Sequence, residues 1–279
     1  MMGVMDDALD QAARLIEQAD ALVIAAGAGM GVDSGLPDFR GNQGLWNAYP
    51  ALGRRELGFA AIASPRMFRT DPRLAWGFYG HRLSLYRQAS PHPSFALLRE
   101  WAARMPQASF VFTSNVDGQF QQAGFEQDAI HECHGSIHWL QCARPCRDEI
   151  WPADDLVPDI DTEACHWRGA LPTCPHCGGL ARPNILMFGD GEWLEGRSQG
   201  QQGRLDAWLA RVEHPVIVEI GAGTGIPTVR HFSHLVIHEH GGRLIRINVR
   251  ESAVPTPRDV GLPVGALEGL RRIARRLAP

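Results

Sequence analysis

Six cysteines occur in the 279 residues, and four of them fall in two tight pairs: Cys142-x3-Cys146 and Cys174-x2-Cys177. Four thiolates at this spacing suit a tetrahedral Zn²⁺, and four protein ligands leave no coordination position for water. A site of this kind is structural. Free buried thiols are the alternative to a metal, and Cys165, His166 and His176 are possible substitute ligands. Otherwise Cys133 and Cys165 read as small buried hydrophobes.

The stretch "HECHGSIHWLQC" (131–142) adds three histidines just before Cys142. A histidine with a pKa near 6.5 can take a proton at neutral pH. A second chemical stretch is "GAGMGVDSGLPDFRG" (27–41). Gly27 and Gly29 let a backbone approach a pyrophosphate, whose oxygens the following amides can bind. A dinucleotide fingerprint would need its third glycine at position 32, which is Val32. The chain instead continues as a loop carrying Asp38, Phe39 and Arg40.

Strands and helices must hold these stretches in place. "ALVIAAGAG" (21–29), "ASFVFTSNVDG" (108–118), "PVIVEIGAGTG" (215–225) and "GRLIRINV" (242–249) are apolar runs ending in small or polar residues. Such runs suit buried parallel strands. Helical spacing is found at 6–20, 93–105 and 203–212. The expected fold is α/β: a Rossmann-like parallel sheet with a ligand crevice at the strand C-termini and a smaller inserted helical and zinc-ribbon module. The Rossmann-like part should take residues 1–42, 93–139 and 183–279. The small domain should take a helical module at 43–92 and a zinc-binding module at 140–182. The Arg-rich "GLRRIARRL" at the C-terminus reads as a last amphipathic helix.

Composition excludes some classes. Net charge is −4 with a pI near 6.3, which gives no basic footprint for direct nucleic-acid binding. No apolar run approaches the roughly 18 residues of a membrane span. The N-terminal segment has the layout of neither a secretory signal nor a transit peptide. The expectation is a soluble, cytoplasmic protein, in which disulfides are rare.

The glycine loop resembles the "GAGxSxxSGIPDFRG" signature of sirtuins, NAD-dependent protein deacylases. "TSNVDGQFQQAG" (113–124) is similar to their "TQNIDGLHxxAG", and "HGS" (134–136) to their catalytic histidine motif. "RPNILMFGD" (182–190) resembles "RPxVVxFGE"; "IGAG" (220–223), "IN" (247–248) and "DV" (259–260) follow in the family's order.

The resemblance implies transfer of an acyl group from lysine to the ADP-ribose of NAD, with release of nicotinamide. It implies NAD as co-substrate, structural Zn²⁺, and acylated-lysine proteins as partners. Gly27, Ala28 and Gly29 would face the phosphates, with Gly221 and Gly223 opposite. Phe39 would shield the reactive ribose carbon. Asp38, Arg40 and Ser114 would line the cofactor, and Asn248 would touch the adenosine ribose. His134 would be the general base, Asn115 would orient ribose or water, and Asp117 would hold the nicotinamide amide. For Asn115 and Asp117, capping of the next helix is the alternative. Phe188 and Gly189 would face the substrate.

"DPRLAWGFYGHR" (71–82) places Tyr79 and Arg82 three apart, on one helix face. This resembles the Tyr-x-x-Arg pattern of sirtuins that remove succinyl or malonyl groups; two residues flanking a structural helix are the alternative. The chain departs from the family at Gly31, Ser114, Phe120 and "GAG" (221–223), where polar groups on the NAD side are lost. An NAD glycohydrolase or mono-ADP-ribosyltransferase would need the same residues, so the sequence leaves that reading open. A non-catalytic binding module would not need them.

Overall fold

The structure is a computed structural model and describes residues 2–38 and 41–277. In chain order, α1 (Met2–Glu17) leads into β1 (Ala21–Ala26). A helical stretch follows: α2 (Gly41–Ala48), α3 (Pro50–Arg54), α4 (Phe59–Ile62), α5 (Pro65–Thr70), α6 (Pro72–Gln88) and α7 (Ser94–Ala102). Then come β2 (Ser109–Thr113), α8 (Gln119–Gln122), β3 (Ile130–Glu132), β4 (Gly135–Cys142), β5 (Ile150–Pro152), β6 (Ile160–Asp161), β7 (His166–Trp167) and β8 (Ala181–Ile185). The chain closes with α9 (Gly196–Leu209), β9 (Pro215–Ile220), α10 (Thr228–His240), β10 (Arg243–Ile247), β11 (Val260–Leu262) and α11 (Ala266–Leu277).

The main sheet runs β11-β10-β9-β1-β2-β3, and all its pairings are parallel. β1 is buried on both faces, so its apolar run needs no polar alternation. Leu22, Ile24 and Ala26 join the core under α1, α7 and α11; Ala21, Val23 and Ala25 join the core under α9 and α10. The chain moves from β1 to β2 on one side and later returns to β9 on the other. That reversal puts a crevice between the C-terminal ends of β1 and β9, the place where open parallel sheets bind ligands. As its pattern predicts, α11 buries Leu270 and Ile273 while Arg271 and Arg275 face outward.

A second core packs α2–α6 against β4, β8 and Trp167. α6 starts where the Asp71 carboxylate accepts from the Leu74 amide (3.1 Å) and Pro72 needs no partner for a missing N–H. β5-β4-β8 form a separate antiparallel sheet, and β6-β7 a small hairpin. β4 begins one residue after His134 and ends at Cys142, so a single strand joins the crevice to the cysteine pairs. Among the described residues no helix is long and apolar enough to cross a membrane.

Candidate active site

At the crevice floor the ends of β1 and β9 touch backbone to backbone. A Cβ on Gly29 would lie 2.6 Å from the Gly221 Cα, and one on Gly27 would lie 2.8 Å from the Ala222 Cα. Gly221 also has φ +62°, the left-handed region that glycine enters at least cost. The fit of glycine here is therefore steric on both strands. Gly29→Ala is expected to cost about 1–3 kcal/mol by overpacking and to lower the melting temperature. In contrast, Gly203→Ala, whose Cβ would meet open space on α9, should leave the melting temperature unchanged or raise it slightly.

Hydrogen bonds gather the polar residues around this floor. Asn115 Nδ2 donates to the Gly27 carbonyl (3.0 Å), tying the end of β2 to the glycine turn. Asn248 Nδ2 donates to the Ala222 carbonyl (2.8 Å), and its Oδ1 accepts from the Arg250 and Glu251 amides. His134 Nε2 lies 3.3 Å from the Thr228 hydroxyl, and the same ring bonds the Ser114 backbone. Burial holds its pKa below the ordinary 6.5, with the Ser114 bond opposing the shift. A neutral imidazole at physiological pH follows. Ala28 is exposed at the mouth, and Gly223 is half-buried beside Glu251.

Asp117 sits deeper, with burial pushing its carboxyl up to about 6. Its Oδ1 accepts from the Gln119 amide (2.9 Å), so the carboxylate also caps the α8 turn. Arg82 and Tyr86 of α6 lie within electrostatic reach of it. Arg82 and Tyr79 are both buried; Arg82 donates from Nε (2.9 Å) and Nη2 (2.6 Å) to the Tyr86 hydroxyl. Phe188 is 43% exposed, packs edge-on against Phe59 and is followed by Gly189 at φ +65°. That loop is anchored by a buried bidentate pair, Arg182 to Asp190 (2.7 and 2.9 Å). Asp38 is half-buried at the end of the glycine loop. Phe39 and Arg40 lie outside the described residues.

The four paired cysteines converge. Their sulfurs lie within 4.8 Å of one another, with Cys142–Cys177 and Cys146–Cys174 each at 3.7 Å. Four sulfurs at Zn–S distances of about 2.3 Å would stand about 3.8 Å apart around a tetrahedral ion. The cluster therefore fits structural zinc. Cys165, His166 and His176 are not part of it: Cys165 packs by Gly77 of α6, His166 lies by Arg55 and Asp71, and His176 pairs with Glu149.

The Sir2 family profile matches residues 27–200, well over half the chain. The chain belongs to the Sir2 family. This Sir2 chain is 30% identical over 267 residues to an NAD-dependent protein deacylase of Pyrococcus abyssi, covering 96% of this chain and 97% of that one. It is likewise 30% identical over 266 residues to NAD-dependent protein deacylase 1 of Pseudomonas aeruginosa, covering 95% and 97%. Among solved structures it resembles a Sir2 homologue in complex with NAD, at 25% identity and a TM-score of 0.69, over 96% of this chain and 94% of that one.

Three features of this Sir2 protein escaped the sequence reading. His138 bonds the Asp117 carbonyl through Nε2 (2.9 Å) and lies against Gly118 at φ +75°. It thus braces the turn that carries Asp117, and its place on β4 gave no signal of that. Thr228 meets His134 although it lies 94 residues away in sequence. Glu219 and Arg246 face each other on the buried strands β9 and β10 and pair there (3.0 Å); Arg246 also donates to the Ala253 carbonyl, pinning the loop that follows Asn248.

Proposed function

We propose that this protein is an NAD-dependent protein lysine deacylase, with the Rossmann-like parts (1–42, 93–139, 183–279) binding NAD and the small domain (43–92, 140–182) supporting the substrate side. What carries the reading is the crevice at the sheet's switch point, where the glycine turns face each other, Asn115 and Asn248 bond their backbone, and a half-buried His134 bonds Thr228 and the Ser114 backbone. NAD, when bound, supplies a ribose carbon that exchanges nicotinamide for the lysine's acyl oxygen, and ribose hydroxyls that finally accept the acyl group. Gly27, Ala28, Gly29, Gly221 and Gly223 admit the pyrophosphate by offering backbone without side-chain bulk. Asp38, Phe39, Arg40 and Ser114 line the cofactor, and Asn248 holds the adenosine ribose. Asp117 accepts from the nicotinamide amide, and Asn115 orients ribose or water. His134 takes a proton from the ribose hydroxyl, a step its lowered pKa keeps available at neutral pH. Phe188 and Gly189, on the loop fixed by Arg182 and Asp190, meet the acyl-lysine segment.

The deciding experiment incubates the protein with NAD, with and without acetyl- and succinyl-lysine peptides, and identifies the products. Peptide-dependent O-acyl-ADP-ribose is expected; ADP-ribose formed equally without peptide would replace this reading with an NAD glycohydrolase, and ADP-ribosylated protein with a transferase. The substrates are then acylated proteins in the cytoplasm, with no membrane or nucleic-acid partner. A net charge of −4 gives no basic footprint for nucleic acid.

Arg82 and Tyr79 bear on the acyl group. A guanidinium beside Asp117, ringed by Phe78, Tyr79 and Tyr86, can pair with the terminal carboxylate of a succinyl or malonyl chain, with Tyr79 donating beside it. Arg82→Met is expected to reduce desuccinylation at least tenfold more than deacetylation, a charge-assisted bond being worth about 1.5–3 kcal/mol. The ratio of the two activities in one preparation checks this independently of how much protein is folded. An unchanged ratio would leave Arg82 as a structural residue of α6.

A further inference from the structure

Thr228 lies in none of the motifs that carry the family resemblance, yet its hydroxyl is the group facing Nε2 of His134 at 3.3 Å. The same ring makes a hydrogen bond to the Ser114 backbone that favours its charged form, so there a ring N–H meets a carbonyl. With Nε2 turned toward Thr228, that N–H belongs to Nδ1. A neutral imidazole carries one proton, so Nε2 then holds the lone pair, and the Thr228 hydroxyl must be the donor. Thr228 is also held in place. It opens the 13-residue α10, next to the buried Val229. Arg230 fastens the turn before it by donating to the Ala222 and Glu251 carbonyls (3.0 and 2.7 Å). The helix N-terminus adds positive potential near the ring, which works against an imidazolium.

We infer that Thr228 is a positioning residue for the base: its hydroxyl donates to Nε2 of His134 and presents that nitrogen as the acceptor, in the place a ribose hydroxyl takes when it gives up its proton. The hydroxyl is never consumed; it exchanges with the substrate's hydroxyl on the same lone pair. Its consequence for turnover rests on the deacylase reading, whereas its effect on the ring does not.

Other charges around the ring are accounted for. On the neighbouring strand, burial pushes His131 down to about 4, Glu132 pairs with Arg197, and the Cys133 thiol is pushed up to about 12. Asp117 follows β2, and α10 brings Arg230 and His231. None of these changes when Thr228 loses its hydroxyl.

The test is an NMR titration of the His134 ring in the full chain without NAD, for the parent, T228V and T228S, with the pH profile of deacylation measured on the same proteins. The parent and T228S should show one neutral tautomer, protonated on Nδ1. The hydroxyl donates to the neutral ring and can turn to accept from the imidazolium, so the tautomer of the neutral ring is the deciding readout: T228V should show the two tautomers mixed. The plateau of kcat/KM should fall in T228V by the share of rings that no longer offer the Nε2 lone pair, with the acid limb kept. T228A serves if valine disturbs the start of α10. The same single tautomer in the parent, T228V and T228A would overturn the assignment. Should the parent lack peptide-dependent turnover, the deacylase reading fails, and the tautomer still decides the role of Thr228.

Discussion

Alanine in place of His134 is expected to lower peptide-dependent formation of O-acyl-ADP-ribose by about 10²–10⁴-fold, the usual worth of a positioned general base. The loss should fall on kcat more than on KM for NAD, because the proton leaves the ribose hydroxyl only as the acyl group moves. The fold should survive, since His134 is half-buried and, among the described residues, its side chain is tied by hydrogen bonds to Thr228 and the Ser114 backbone alone. The pH dependence separates a base from a structural ring. Burial lowers the His134 pKa from 6.5, and a base must be unprotonated to act. Turnover should thus be level through pH 7 and fall only at more acidic pH, as the ring takes up a proton. In His134→Ala the residual rate should lose that acid limb. An alanine variant with the parent's rate and the same limb would remove His134 from the chemistry.

Why the sequence revealed His134 but not Thr228 or His138 has a physical basis. His134 lies in a stretch whose residue types are scarce and whose order along the chain is informative. β1, β2, β9 and β10 were legible because parallel strands buried on both faces read as unbroken apolar runs. β8 was not: "ARPNI" carries an arginine, a proline and an asparagine, poor strand formers taken alone. It is a strand because Arg182 has Asp190 to pair with and Asn184 donates to Gln141 on β4 (2.9 Å) and to the Leu194 carbonyl (2.8 Å). Those partners lie up to 43 residues away, and no local periodicity encodes them. Glu219 and Arg246 make the same point inside the main sheet. Charges in buried strands look like errors until the β9–β10 register sets them opposite each other. Thr228 and His138 act through contacts made only when separate elements meet.

Loss of zinc is expected to have the largest effect on stability. Structural zinc in small modules contributes about 10–16 kcal/mol of apparent binding free energy near neutral pH, and that energy is folding energy. Here the cysteines clasp the two chain ends of a segment whose apolar side chains, among them Trp151, Leu156, Ile160 and Trp167, pack into the second core rather than around the sulfurs; Cys146 and Cys177 are exposed, and the elements between the pairs are the short β5, β6 and β7. The damage should reach the crevice by a direct route. β4 runs from His134 to Cys142, and β8 leaves the second cysteine knuckle to pair with β4 and deliver the loop of Phe188. Releasing the knuckles frees one end of both strands. Cys174→Ser, or prolonged chelation of the native protein, should therefore lower the melting temperature by many degrees and abolish turnover together. Metal analysis should give one zinc per chain before chelation and none after. Cys165→Ser, at a cysteine outside the cluster, should keep the zinc. Retention of the full melting temperature after complete metal removal would show that β4 and β8 are held by Arg182, Asp190, Gln141 and Asn184 alone, and that the thiolates only decorate a sheet already stable without them.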